Sequence, residues 1–108
     1  MKRFSFIVAE PSYLIRRGLI SCIEEAGNTH VVKEMESTDQ LLNVLSHHRP
    51  DFLVISNNFL KVWEESIRCL LQTGIQTQLV PILYDDATAS LFAGKYTIRV
   101  SDDKITIL

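Results

Sequence analysis

Asp51-Phe52-Leu53-Val54-Ile55-Ser56-Asn57-Asn58 decides the fold, because four uninterrupted apolar residues, Phe52 to Ile55, end abruptly in three polar ones. A strand apolar at successive positions buries both its faces, which is the condition of a parallel sheet with helices above and below. In such a sheet the functional crevice lies at the carboxyl ends of the strands. Ser56 therefore stands at a site-bearing position. Ser56, Asn57 and Asn58 also read as a polar turn, since Asn and Ser side chains hydrogen-bond locally in turns.

Immediately upstream, Arg49-Pro50 closes a helix, because the residue before a proline avoids the α region. That helix carries the stripe Leu41, Leu42, Val44 and Leu45, and Ser37 or Thr38 is its expected cap. His47-His48 falls in its last turn, where cationic side chains suit the helix dipole, and the spacing is wrong for two metal ligands on one helix face. Before it, His30 to Met35 reads as a weaker strand. The chain opens with a β-rich run, Phe4 to Ala9, stopped by Glu10-Pro11. Ser12 then caps a helix with Leu14, Ile15, Leu19, Ile23 and Ala26 on its apolar face and Arg16, Arg17, Glu24 and Glu25 on its polar face. Gly27-Asn28 supplies its left-handed stop.

Downstream, a helix from about Leu60 to Thr73 puts Leu60, Trp63, Ile67, Leu70 and Leu71 on one face, with Gly74 at its end and Trp63 assigned to the core. Gln78 to Tyr84 reads as a fourth strand, edge-like or irregular because of Pro81. Asp85 to Gly94 holds a short helix at best, and Asp85-Asp86 reads as a solvated loop and helix start. Tyr96 to Val100 alternates as a fifth strand. Ser101-Asp102-Asp103 looks like a helix start with no helix behind it, so the last helix is missing or truncated.

Strands alternating with helical patterns give βαβ units with right-handed crossovers. The expected fold is α/β and flavodoxin-like: a doubly wound five-stranded parallel sheet, order 2-1-3-4-5, with helices on both faces. The 108 residues, 46% of them hydrophobic, suit one domain. A net charge of -2, from 11 Lys+Arg and 13 Asp+Glu, provides no positive field to hold a nucleic acid. Neither an apolar run of membrane-spanning length nor a signal peptide's apolar region is present, which makes a cytoplasmic location the expectation. Cys22 and Cys69 lie in helices without ligand-like spacing and are expected to be buried free thiols.

Three stretches together resemble the receiver domain of bacterial response regulators of the LuxR/NarL type, over nearly the whole chain. They are Val8-Ala9-Glu10-Pro11-Ser12-Tyr13-Leu14-Ile15-Arg16-Arg17-Gly18-Leu19, where the family has an acidic pair and then Arg-Glu-Gly-Leu; Arg49-Pro50-Asp51; and Ser56-Asn57-Asn58. The resemblance implies phosphoryl transfer from a phosphohistidine to an aspartate at the end of strand three. It also implies a divalent metal held by that aspartate, the acidic pair and a backbone carbonyl. This chain departs from the pattern. Ser56 stands in place of the nucleophilic aspartate, and a serine hydroxyl needs a base to be activated. Glu10 fills the first acidic position and Pro11 replaces the second, so the hard-cation site keeps one carboxylate. Asn58 fits the carbonyl position, Tyr84 replaces the switch Ser/Thr, and Arg99 or Ser101 aligns with the phosphate-pairing lysine.

The reading is a degenerate receiver, or pseudo-receiver, over residues 1–108, with a C-terminal DNA-binding domain expected beyond the end of the chain. It is expected to be no enzyme, to hold no cofactor or metal, and to act through a homodimer or a partner protein. DNA would be reached only through the further domain, and no membrane is involved. Tyr13, Arg16, Arg17, Tyr96 and Arg99 occupy places where receivers of this family meet partners, or an ordinary solvated face. The alternative is a small-ligand-binding or enzymatic flavodoxin-like domain using the cleft at the carboxyl ends of strands one and three. Glu10-Pro11-Ser12-Tyr13 stands where a Gly-rich phosphate loop would, which gives nucleotide binding little support.

Overall fold

The computed structural model describes residues 3–72, 74, 76–84, 98–101 and 104–107. Among the described residues, nine elements follow in order: β1 (Phe4–Ala9), α1 (Tyr13–Glu24), β2 (Thr29–Met35), α2 (Leu41–His48), β3 (Phe52–Ser56), α3 (Asn57–Gln72), β4 (Gln78–Tyr84), β5 (Ile98–Ser101) and β6 (Lys104–Ile107). They form one sheet in the order β2-β1-β3-β4-β5-β6. The first five are parallel in the expected order 2-1-3-4-5.

Alternation along β1 and β3 divides the core in two. Ile7, Ala9, Leu53 and Ile55 join Met35, Leu41, Leu45, Ile67 and Leu79 on the side of α2 and α3. Val8 and Val54 join Leu19, Ile20, Val80, Ile82 and Ile98 on the side of α1. Leu53, Val54 and Ile55 are all buried, as a strand covered on both faces requires. The amino end of β3 is pinned by side chains: the Ser5 amide donates to Asp51 Oδ2 at 2.9 Å, and the Thr77 hydroxyl donates to the Pro50 carbonyl at 2.6 Å.

Several details differ from the sequence reading. Leu14 is 82% exposed and Ala26 is exposed, while Arg16 is buried with Leu19 and Ile20. The packed stripe of α1 is centred on Ile15, Leu19 and Ile23, four residues apart, and Leu14 lies one step around the helix from that line. Cys22 and Cys69 are exposed, not buried, because each falls beside the packed stripe of its helix. No turn separates β3 from α3: Ser56 ends the strand and Asn57 begins the helix. β4 is an interior strand despite Pro81. The Gln78 amide bonds to the Asp51 carbonyl at 2.9 Å, so by alternation the imide of Pro81 faces away from β3. Pairing with β5 begins one residue later, at Ile82.

At the carboxyl end, Lys104–Ile107 forms β6, antiparallel to β5, where a helix start was expected. Ile-Thr-Ile is β-branched throughout, which suits a strand better than a helix. Asp85 to Gly94 and Tyr96 lie outside the described residues.

The helix ends follow local rules in part. Gly27 adopts φ 86, giving the left-handed stop after α1, and Arg49 adopts φ 43 with its N–H on the Leu45 carbonyl, ending α2 before Pro50. Ser12 is the N-cap of α1, its hydroxyl accepting from the Ile15 amide at 3.4 Å. Ser12→Ala should therefore lower stability by about 0.5–1 kcal/mol, the lower part of the range for a lost cap because the bond is long. A urea titration of the variant against the parent measures it.

Candidate functional site

The pairing of Ala9 with Ile55 carries Glu10 and Ser56 together to the carboxyl edge of the two central strands. Both are completely buried, and Asn57, the first residue of α3, is 2% exposed. Pro11 and Asn58 are exposed. Three of the residues singled out from sequence, Glu10, Pro11 and Ser56, are thus brought to one edge, and Asn57 joins them.

Glu10 is fixed on all its backbone and side-chain sides. Its carboxylate Oε2 accepts from the Ser12 amide at 2.6 Å, holding the β1–α1 turn. Its own amide donates to the Met35 carbonyl of β2 at 3.0 Å, and its carbonyl accepts from Arg16 Nη1 at 2.8 Å. Arg16 was placed on the polar face of α1 by sequence, yet it is 6% exposed and turned inward. It can be buried because its guanidinium is satisfied: Nε donates to Glu34 Oε1 at 2.9 Å, while Arg17 Nη1 reaches Glu34 Oε2 at 2.6 Å. The hydrogen bond from Arg16 is the main influence holding the Glu34 carboxyl below its ordinary pKa, with Arg17 adding to it and partial desolvation opposing it. Tyr13 is 66% exposed and lies under the Arg16 guanidinium, 5.6 Å from the ring centre.

Ser56 presents a different picture. Its hydroxyl, and both polar atoms of the Asn57 carboxamide, are buried without a hydrogen-bond partner among the described residues. A serine nucleophile requires a base within hydrogen-bond reach, and no described side chain meets Ser56 Oγ. Asn58 lies in the first turn of α3, where a helical carbonyl is directed along the axis toward the amide four residues on. That direction competes with lending it to a cation. Tyr84 ends β4 opposite Val100 of β5, and Arg99 lies opposite Leu83, so both backbones belong to this sheet. Among the described residues there is no group of three or more His, Cys, Asp or Glu placed to hold a metal ion.

Sequence reasoning missed Arg16 and Glu34 as members of this edge. For Arg16 and Glu34 the contact spans 18 residues and two elements, and charge placement along the helix gave no sign of it. Asn57 was read as part of the polar end of strand three, though not as a buried residue of the site.

No family model matches the sequence, and no curated protein matches it. Solved structures do match. The signal receiver domain of NarL, named as a response regulator, from Mycobacterium tuberculosis superposes with a TM-score of 0.66 at 17% identity, covering 76% of this chain and 67% of that one. RcsB from Salmonella enterica serovar Typhimurium, bound to promoter rprA in the presence of the phosphomimetic BeF3-, superposes with a TM-score of 0.61 at 15% identity. That match covers 75% of this chain and 42% of RcsB. At these identities the likeness is one of fold, and the fold is that of a receiver domain. No helix among the described residues is long and apolar enough to cross a membrane.

Proposed function

We propose that this chain is a receiver-like signalling module that does not accept phosphate at the end of β3 and controls an attached helix-turn-helix domain through dimerisation or partner contact. The observation that carries the reading is Ser56. It occupies the edge position where the resembled family has its aspartate, it is fully buried, and its hydroxyl meets no base among the described residues. Pro11 beside Glu10 removes a second carboxylate from the same edge. A hard divalent cation relies on carboxylates and phosphate oxygens together, and this edge is short of both. The receiver fold, shared with the signal receiver domain of a protein named as a response regulator, supports the signalling part of the reading. The RcsB structure is bound to a promoter, and DNA contact here would need a further domain.

Incubation with a small phosphodonor and Mg²⁺, followed by intact-mass measurement, is expected to leave the mass unchanged. Light scattering on the same samples should likewise show no change in association state. A stoichiometric gain of one phosphoryl group per chain would overturn the proposal.

A further inference from the structure

α1 packs on the sheet through one line of long side chains, Ile15, Leu19 and Ile23, and the positions beside the carboxyl end of that line are small. Cys22 lies in the last turn of the helix and Ala26 follows just past it, and both are exposed. Neither side chain is long enough to fill the space down to the sheet. A cavity of about 250 Å³ is left between them and the strands. Its floor is Val54 of β3 beside Val80 of β4, with Ile98 of β5, all three buried. Phe6 and Phe52, paired across β1 and β3 with their rings stacked at 4.8 Å, make an aromatic wall. The cavity lies toward the amino ends of the strands, and none of its described lining residues belongs to the edge that carries Glu10 and Ser56.

The lining decides what it can hold. Thr29 brings the one side-chain hydroxyl among the described lining residues, and that group already donates to the Ile23 carbonyl. A thiol is only a weak donor, so the side chains offer a ligand carbon surface and little else. A charged or strongly polar molecule entering here would give up its water without replacement, whereas an apolar one gains by leaving it. Size narrows the class further. A dry apolar cavity of roughly 150 Å³ is enough to take up benzene, so this one has room for a ring with a substituent. It is too small for a protein partner by itself, since nine described residues line it and a stable interface engages about 20–30 residues a side.

We propose that this cavity binds a small, uncharged, apolar molecule of about the size of a substituted benzene ring. Bound there, the molecule touches α1 and the inner strands together, which gives the module an input other than a phosphoryl group. The site is independent of whether Ser56 accepts phosphate.

The two exposed cysteines provide the test, because Cys22 lines the cavity and Cys69 lies on α3, across the sheet. Alkylation of each thiol by iodoacetamide is followed by peptide mass with toluene as the probe. Toluene should slow the reaction of Cys22 saturably, by about threefold at twice its dissociation constant, and leave Cys69 unchanged. Benzoate, the same ring carrying a charge, should protect neither. Ala26→Phe places a ring at the exposed mouth of the cavity and should abolish the effect of toluene on Cys22. No protection up to the solubility of toluene, equal protection of both cysteines, equal protection by benzoate, or protection that survives Ala26→Phe would each overturn the proposal. So would a Cys22 already shielded without toluene, which would mean that the protein fills the cavity itself, through a second copy if the shielding rises with protein concentration.

Discussion

Leu53→Ala is expected to lower the stability of the fold by about 2–5 kcal/mol, the range for removing three buried heavy atoms from a core that closes only partly around the gap. Leu53 is fully buried at the centre of β3, flanked by Ile7 of β1 and Leu79 of β4. Its cluster also holds Leu41, Leu45 and Ile67 from the two helices above. A strand with a neighbour on each side and helices overhead has little freedom to collapse, which favours the upper half of the range. A domain of this size typically has about 5–15 kcal/mol in all, so the loss is a large share. Denaturant unfolding should show a lower midpoint with an unchanged slope, since the same surface is exposed. Leu14→Ala is the internal control. At 82% exposure it should change stability by less than about 0.5 kcal/mol. Equal effects at the two leucines would mean that β3 is not the interior strand of the sheet.

That contrast between two leucines also marks how far the sequence could be read. β3 was legible because Phe52 to Ile55 is apolar at consecutive positions, which only a doubly covered strand explains, and Pro50 and the polar residues after Ile55 bound it on both sides. β1 and β4 followed from the same kind of signal and match residue for residue. Leu14 was misplaced because an apolar residue adjacent to the packed stripe looks like part of it when only spacing is available. The phase of α1 is set instead by Arg16, which takes an inward position that Leu14 cannot share.

The candidate site was legible at its edge and not in its interior. Glu10, Ser56 and their neighbours fall where strands one and three end, and strand ends are the most readable feature of such folds. What surrounds them depends on partners distant in sequence: the Ser12 amide closing on Glu10, and the Glu34 carboxylate arriving from an outer strand. Thr38 shows the opposite failure. Its local sequence reads as a cap by rule, but α2 starts at Leu41 behind Gln40 and the Thr38 hydroxyl accepts from the Trp63 indole of α3 instead. The β6 hairpin strand was missed because Ser-Asp-Asp is as good a turn sequence as a helix start.

Arg16→Ala is the substitution expected to disturb this edge most, lowering stability by about 1–3 kcal/mol through an unsatisfied buried acceptor and lost packing of the arginine stem. The lost acceptor partner is the Glu10 carbonyl, held by Nη1 at 2.8 Å. The ion pair with Glu34 contributes the smaller part, because that carboxylate is 37% exposed and screened by water. Arg16→Lys should recover only part of the loss, since a single ammonium cannot reach the Glu10 carbonyl and the Glu34 carboxylate in the forked geometry of a guanidinium. The pH dependence separates the two contributions. Glu34 has a lower pKa folded than unfolded, so its contribution is fully present above the ordinary carboxylate value and is lost as pH falls through the depressed folded value. Arg16→Ala should therefore show a shallower loss of stability on acidification than the parent, whereas its deficit at neutral pH persists. Urea midpoints measured from neutral pH down through the carboxylate range test both statements. A variant as stable as the parent with the same acid limb would show that Arg16 is not what holds the β1–α1 turn against β2.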